Sequence, residues 1–191
     1  MELSPDVAVV LVRHGETEWS SSGKHTSYTD VALTDRGREE ARALASRVRA
    51  RDYALVLTSP RRRAIETCEL AGFHDHAEVT DDLAEWNYGE FEGLTSDEIR
   101  RRIPHWTIFN YGAPGGESAR DVTRRADRLL ARAEAAGGHV ALFSHGHFLR
   151  VLGARWLGWP AVDGRLLCLD VATMCVLGYE REERALRVWN A

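Results

Sequence analysis

The sequence predicts an α/β fold with a mostly parallel sheet and an antiparallel edge, and three observations carry that expectation. Apolar runs at residues 7–12, 54–57 and 140–143, the first of them mostly β-branched, read as strands buried on both faces, as helix-covered parallel sheets require. Between them lie stretches with apolar residues at helical spacing, so strand and helix alternate along the chain. The last two apolar runs, 171–179 and 185–189, are separated by the wholly charged residues 180–184 and read as a hairpin.

Taken in order, the first strand runs straight into Arg13, His14 and Gly15. In an open α/β sheet the ligand-binding loops leave the carboxyl ends of the strands. Arg13 there offers a bidentate cation for phosphate and His14 an imidazole nucleophile, while Gly15 removes a side chain where backbone must approach a bulky oxyanion. Residues 18–28 lose periodicity and read as a long polar loop, which Trp19 and Tyr28 argue is ordered. Thr34 is the natural N-cap of a first helix running to about Arg51, with Asp35 at its positive end and Ala41, Leu44, Ala45 and Val48 turned inward.

Ser59 and Pro60 follow the second strand as cap and first helical residue, which puts Arg61, Arg62 and Arg63 in one first turn. Three cations oppose the helix dipole there, and a bound anion is the expected compensation. Arg63 precedes the apolar Ala64 and Ile65 and is expected to face inward. After a short strand at 77–79, residues 82–93 mix carboxylates, aromatics and glycines without period. Glu85 beside Trp86 is expected to be desolvated by the indole and so to act as an acid; Glu90 and Glu92 read as solvent-facing or structural.

Residues 95–103 read as a short helix stopped by Pro104, and 105–116 as an aromatic flap over the site, so that the flap segment spans about 95–118. Ser118 and Asp121 form a capping box for the longest helix, which turns Val122, Ala126, Leu129, Leu130 and Ala133 inward and ends at Gly137 and Gly138. The strand at 140–143 then delivers Ser144, His145 and Gly146. A second His-Gly at a second strand end places His14 and His145 face to face. His145 with His147, and His74 with His76, raise a metal reading. It is set aside because alternate residues of a continuing strand point apart and no ordered set of Asp ligands accompanies either pair.

With 191 residues, 44% of them hydrophobic and 28% charged, the chain fits one soluble domain spanning 1–191. A formal net charge of −4 argues against nucleic acid as a partner, so an anionic substrate must be held by local cations. Glu2 and Asp6 precede the first apolar run without a basic leader, and no apolar stretch approaches about 18 residues; a cytoplasmic protein without a membrane partner is expected. Cys68, Cys168 and Cys175 lack metal-ligand spacing and read as buried small apolar residues in a reducing compartment. Trp156, Trp159 and Trp189 look exposed and are the argument for a homodimer.

Six segments in succession resemble the motifs of the histidine phosphatase superfamily, the phosphoglycerate mutase-like fold. They are LVRHGET at 11–17, LTDRG at 33–37, SPRRRA at 59–64, EWNYGEFEG at 85–93, GGES at 115–118 and SHGH at 144–147. Within the superfamily, residues 19–26 and 82–89 resemble the branch of sedoheptulose-bisphosphatase-type enzymes and actinobacterial broad-specificity acid phosphatases. The resemblance implies a three-layer α/β/α sandwich and no cofactor. It also implies that His14 attacks phosphorus to become a phosphohistidine, while Arg13, Arg63 and a protonated His145 hold the equatorial oxygens. Glu85 would protonate the leaving alkoxide and then deprotonate the hydrolytic water, with no metal required.

Thr17, Ser20, His25 and Thr26 match positions that touch substrate in the family, Tyr88 and Gly146 fall within the same motifs, and Arg150 matches a basic position of the bisphosphatase branch. Ser20 departs from the Asn of many relatives. The expected activity is hydrolysis of small phosphorylated metabolites, sugar phosphates or bisphosphates, at acidic to neutral pH; Lys24, His25 and Arg150 hint at a second anionic group on the substrate. The alternatives are a cofactor-dependent phosphoglycerate mutase and a non-catalytic phosphate-binding module. A mutase must shield its phosphohistidine, and the modest flap and the short chain after the last strand favour hydrolysis.

Overall fold

The apolar runs form the strands β1 (Val9–Arg13), β2 (Tyr53–Thr58), the edge strand β3 (Glu78–Val79), β4 (His139–Ser144) and the hairpin β5 (Met174–Glu180) and β6 (Glu183–Val188). The computed structural model describes residues 8–48, 52–74 and 76–191, so Glu2, Asp6, Val7 and the expected helix end at Arg51 lie outside the described residues. Strand order is β3-β2-β4-β1-β5-β6. The first four strands are mutually parallel, β5 pairs antiparallel with β1, and β6 antiparallel with β5. The helices are α1 (Glu18–Ser21), α2 (Asp35–Val48), α3 (Arg62–Cys68), α4 (Ser96–Arg100), α5 (Ile108–Tyr111), α6 (Ala119–Ala135) and α7 (Gly146–Trp156).

Strand side chains alternate between two faces, and here both faces are apolar. Val9, Leu11, Leu57, Val140, Leu142 and Leu177 join a core with Leu129 of α6 and Phe148 and Leu152 of α7. Val10, Val12, Val56, Ala141, Phe143 and Val176 join a second with Leu44 and Val48 of α2 and Cys68 of α3. The three layers follow from that division.

Where local chemistry was misjudged, the structure gives the reason. Thr17 and Ser20 cap each other reciprocally, so residues 18–21 are one helical turn rather than loop. α3 starts only at Arg62; Arg61 holds the N-cap without a side-chain bond. The compensating anion is therefore internal: the Asp30 carboxylate accepts from the Arg62 N–H at 2.8 Å. The segment expected to be a flap is a plug, because Trp106, Ile108 and Phe109 are buried in the core. Trp156 is also fully buried, its Nε1 donating to the carbonyls of Gly178 and Ala185, and Trp189 is half-buried; only Trp159 is exposed as the homodimer argument required. Cys68 and Cys175 are buried as expected, but Cys168 is exposed.

Candidate active site

Parallel pairing of β1 with β4 sets Arg13 opposite Ser144, so the next residue of each strand, His14 and His145, emerges at the same sheet edge. Their ring centroids are 5.2 Å apart with planes at 63°. His14 Nδ1 lies 2.8 Å from the Gly15 carbonyl oxygen, which can only accept; Nδ1 therefore carries the hydrogen and Nε2 the lone pair. Burial, then the positive charges of Arg63 and Arg13, hold the ring well below the usual histidine range. A neutral, tautomerically fixed imidazole results.

His145 differs from the expectation of a protonated imidazole. Its Nδ1 accepts from Arg63 Nε at 3.2 Å, and its Nε2 donates to Ser59 Oγ at 2.7 Å. Burial, Arg63, His14 and Arg13 all act to lower its pKa well below the usual value. In this state it is a neutral ring clamped between two partners.

The guanidiniums of Arg13 and Arg63 have different surroundings. Arg13 Nη1 donates to the Leu169 carbonyl at 2.5 Å, and its buried Nε has no partner among the described residues. Gly146 allows this placement, because a Cβ there would sit 3.1 Å from Arg13 Cζ. Arg63 is fully buried and instead grips the loop after α1: Nη1 donates to the Thr29 carbonyl, and Nη2 to those of Thr26 and Ser27. Most of its donors are thus committed within the protein, and it backs the site rather than lining it. Glu92 holds the other side of that loop, accepting from the Ser27 N–H and hydroxyl and from the Thr29 N–H.

Glu85 is buried, but not in the apolar pocket expected of it. Its carboxylate accepts N–H bonds from Trp86 at 2.8 Å and, at the start of α7, from His147 at 3.0 Å and Phe148 at 2.8 Å. The Trp86 indole points away, donating to the Glu117 carbonyl and meeting Phe109 edge-on. Gly15 also has a different reason from the one expected: a Cβ there would lie 2.3 Å from the Gly37 carbonyl oxygen, so the glycine serves close packing of the His14 loop on α2.

A cavity of about 150 Å³ opens over His14, lined by Arg13, Thr17, Ser20, His25, Thr26, Glu85, Tyr88, Gly146 and Arg150, and also by Gly23, Lys24, His147 and Leu169. Of the residues predicted from sequence, Gly15, Arg63 and His145 lie behind this surface. Ser20 spends its hydroxyl on the Thr17 carbonyl and on capping α1. Arg150 is anchored through Nε and Nη2 to the carbonyls of Gly164 and Arg165 and lies 4.7 Å over the Phe109 ring. His25 packs tilted against Tyr88 and edge-on against Trp106, and burial is the main cause lowering it to about 4.

His147 is the residue the sequence reading missed. The argument that it points away from His145 assumed a continuing strand, but α7 begins at Gly146 and rotates His147 into the cavity. His74 and His76 are both exposed. Among the described residues, no three His, Cys, Asp or Glu side chains gather to hold a metal ion.

Residues 9–191 match the family described as histidine phosphatase superfamily, branch 1. The chain belongs to this superfamily. Among curated relatives of this histidine phosphatase is an acid phosphatase of Mycobacterium tuberculosis, 42% identical over 185 residues, covering 94% of this chain and 90% of that protein. Another is the sedoheptulose 1,7-bisphosphatase of Saccharomyces cerevisiae, 32% identical over 181 residues, covering 78% of this chain and 67% of that one. A solved Mycobacterium tuberculosis open reading frame superposes with a TM-score of 0.93 at 39% identity, covering 97% of each chain. A mycobacterial glucosyl-3-phosphoglycerate phosphatase bound to VO3 superposes at 0.86 with 28% identity, covering 97% and 99%. The chain is a histidine phosphatase-type hydrolase with phosphatase activity on phosphorylated substrates, and among its described residues no helix is long and apolar enough to cross a membrane.

Proposed function

We propose that this protein hydrolyses phosphate monoesters of small metabolites through a phosphohistidine on His14, without a metal ion. The observation that carries the reading is the His14 ring. Its Nδ1–H is fixed on the Gly15 carbonyl, so the Nε2 lone pair is presented for in-line attack on phosphorus. Attack forms the N–P bond as the P–O bond to the leaving group breaks. Arg13, with an unpartnered buried Nε, and the charge of Arg63 behind it oppose the negative charge spread over the equatorial oxygens. His145 holds Arg63 and the His14 ring in register, and in its neutral form offers no further charge.

Glu85 gives the leaving alkoxide its proton and then removes one from the water that attacks the phosphohistidine, which regenerates His14 and releases phosphate. The cavity of about 150 Å³ suits a phosphoryl group and a short polar chain, and Lys24 and Arg150 at its rim suit a second anionic group. The names of the sedoheptulose 1,7-bisphosphatase and glucosyl-3-phosphoglycerate phosphatase relatives support a small phosphorylated metabolite as substrate.

Turnover of p-nitrophenyl phosphate in EDTA, with acid-labile phosphate trapped on the wild type and absent from His14→Asn, is the expected result. Loss of activity in EDTA, or a labelled His14→Asn protein, overturns the reading. A screen over sugar phosphates, bisphosphates and 3-phosphoglycerate with 2,3-bisphosphoglycerate then separates hydrolysis from phosphate transfer between hydroxyls.

A further inference from the structure

His147 has no part in the chemistry described above, yet three features tie it to the acid. Its backbone N–H donates to Glu85 Oε2, and its ring Nδ1 lies 2.6 Å from the Tyr88 hydroxyl. That hydroxyl is itself buried, and the Glu85 carboxylate is close enough to raise its pKa. Its ring also stands between two cavities. One is the catalytic cavity; the other, about 210 Å³, is bordered by Ser96, Arg100, Thr107 and Arg165. A substrate filling the first cavity closes the direct route from solvent to Glu85 but leaves the second open.

We propose that His147 and Tyr88 form a proton relay from the second cavity to Glu85, which lets the acid take up its proton when substrate has bound to the enzyme with Glu85 ionised. The proposal rests on Glu85 as the general acid. When Glu85 is a carboxylate it can only accept, so the Tyr88 O–H donates to it and the Tyr88 oxygen accepts from His147 Nδ1–H. Recharging moves the Tyr88 proton to Glu85 and the Nδ1 proton to Tyr88, while Nε2 takes a proton from water in the second cavity. One proton enters, Glu85 passes from carboxylate to neutral acid while Tyr88 and His147 stay neutral, and the imidazole has changed tautomer.

The groups facing the ring suit this use. Tyr88, His25 at 5.8 Å and Phe109 at 5.3 Å surround it, and Arg150 and Arg13 stand nearby. Burial, followed by Arg150, His25 and Arg13, keeps it well below the usual histidine range, so it passes a proton on rather than storing one. Tyr88 is pushed well above 10, chiefly by burial and then by Glu85, and so keeps its hydrogen.

The test compares kcat/KM for an alkyl phosphate, whose leaving group needs an acid, with that for p-nitrophenyl phosphate, whose leaving group scarcely does. In His147→Gln, which keeps the backbone bond to Glu85 and a hydrogen-bonding partner for Tyr88, the alkyl-to-aryl ratio falls about ten-fold. His147→Asn and Tyr88→Phe shift the ratio the same way, which covers failure of any one variant to fold. An unchanged ratio in these variants overturns the relay. Glu85→Gln is the control: if it too leaves the ratio unchanged, the general-acid assignment fails, and if it lowers the ratio while the His147 variants do not, the relay alone fails.

Discussion

The imidazoles of His14 and His145, 5.2 Å apart at 63°, are both kept neutral by burial and the nearby arginines, one oriented by the Gly15 carbonyl and the other clamped between Arg63 and Ser59. A neutral nucleophile is ready to attack without first losing a proton. His14→Asn is therefore expected to lower kcat by about 10³-fold or more, with binding of inorganic phosphate little changed. Steady-state kinetics and equilibrium phosphate binding check this together, because a misfolded protein loses both.

Because burial and nearby arginines lower these histidines in the folded protein, the unfolded chain binds protons that the native state refuses. Stability is then complete above about pH 6.5 and falls as the pH drops below it. His25 alone, lowered from 6.5 to about 4, contributes a loss of about 3 kcal/mol across that window at about 1.36 kcal/mol per unit. Urea unfolding at pH 7 and pH 5 is expected to show the decline, and His25→Gln to make it shallower.

Gly15→Ala would thrust a methyl group to 2.3 Å from the Gly37 carbonyl oxygen, and neither backbone can retreat without moving His14 or the first turn of α2. A destabilisation of about 3 kcal/mol is expected, with reduced activity in the protein that remains folded. Chemical denaturation gives the first quantity and kcat per folded molecule the second.

Glu92 takes four hydrogen bonds from Ser27 and Thr29, and those residues supply carbonyls to Arg63. Glu92→Ala is expected to raise KM several-fold and to cost about 1–3 kcal/mol, since it strands buried donors. Glu92→Gln, which retains an acceptor oxygen, recovers part of both losses; equal effects of the two variants would contradict the account.

Much of this was legible because it depends on local pattern. The apolar runs mark both faces of β1, β2 and β4, and the repeated His-Gly after two strands sets His14 against His145. What was not legible depends on partners remote in sequence. Nothing near Arg62 announces that Asp30 caps its N–H, and nothing near Glu85 shows that its oxygens meet the first turn of α7. Gly15 reads as room for a ligand because Gly37, which fills that room, lies 22 residues on in α2. His147 was misplaced by one assumption, that the strand continued past His145.

The three carbonyls gripped by Arg63 bear on how the molecule comes together. Residues 26–29 take their shape from a side chain on α3, which can reach them only after β2 has joined the sheet. The substrate-facing loop and the phosphate cradle therefore assemble or dissolve as one unit, and amide exchange in that loop should follow opening of the sheet rather than local breathing.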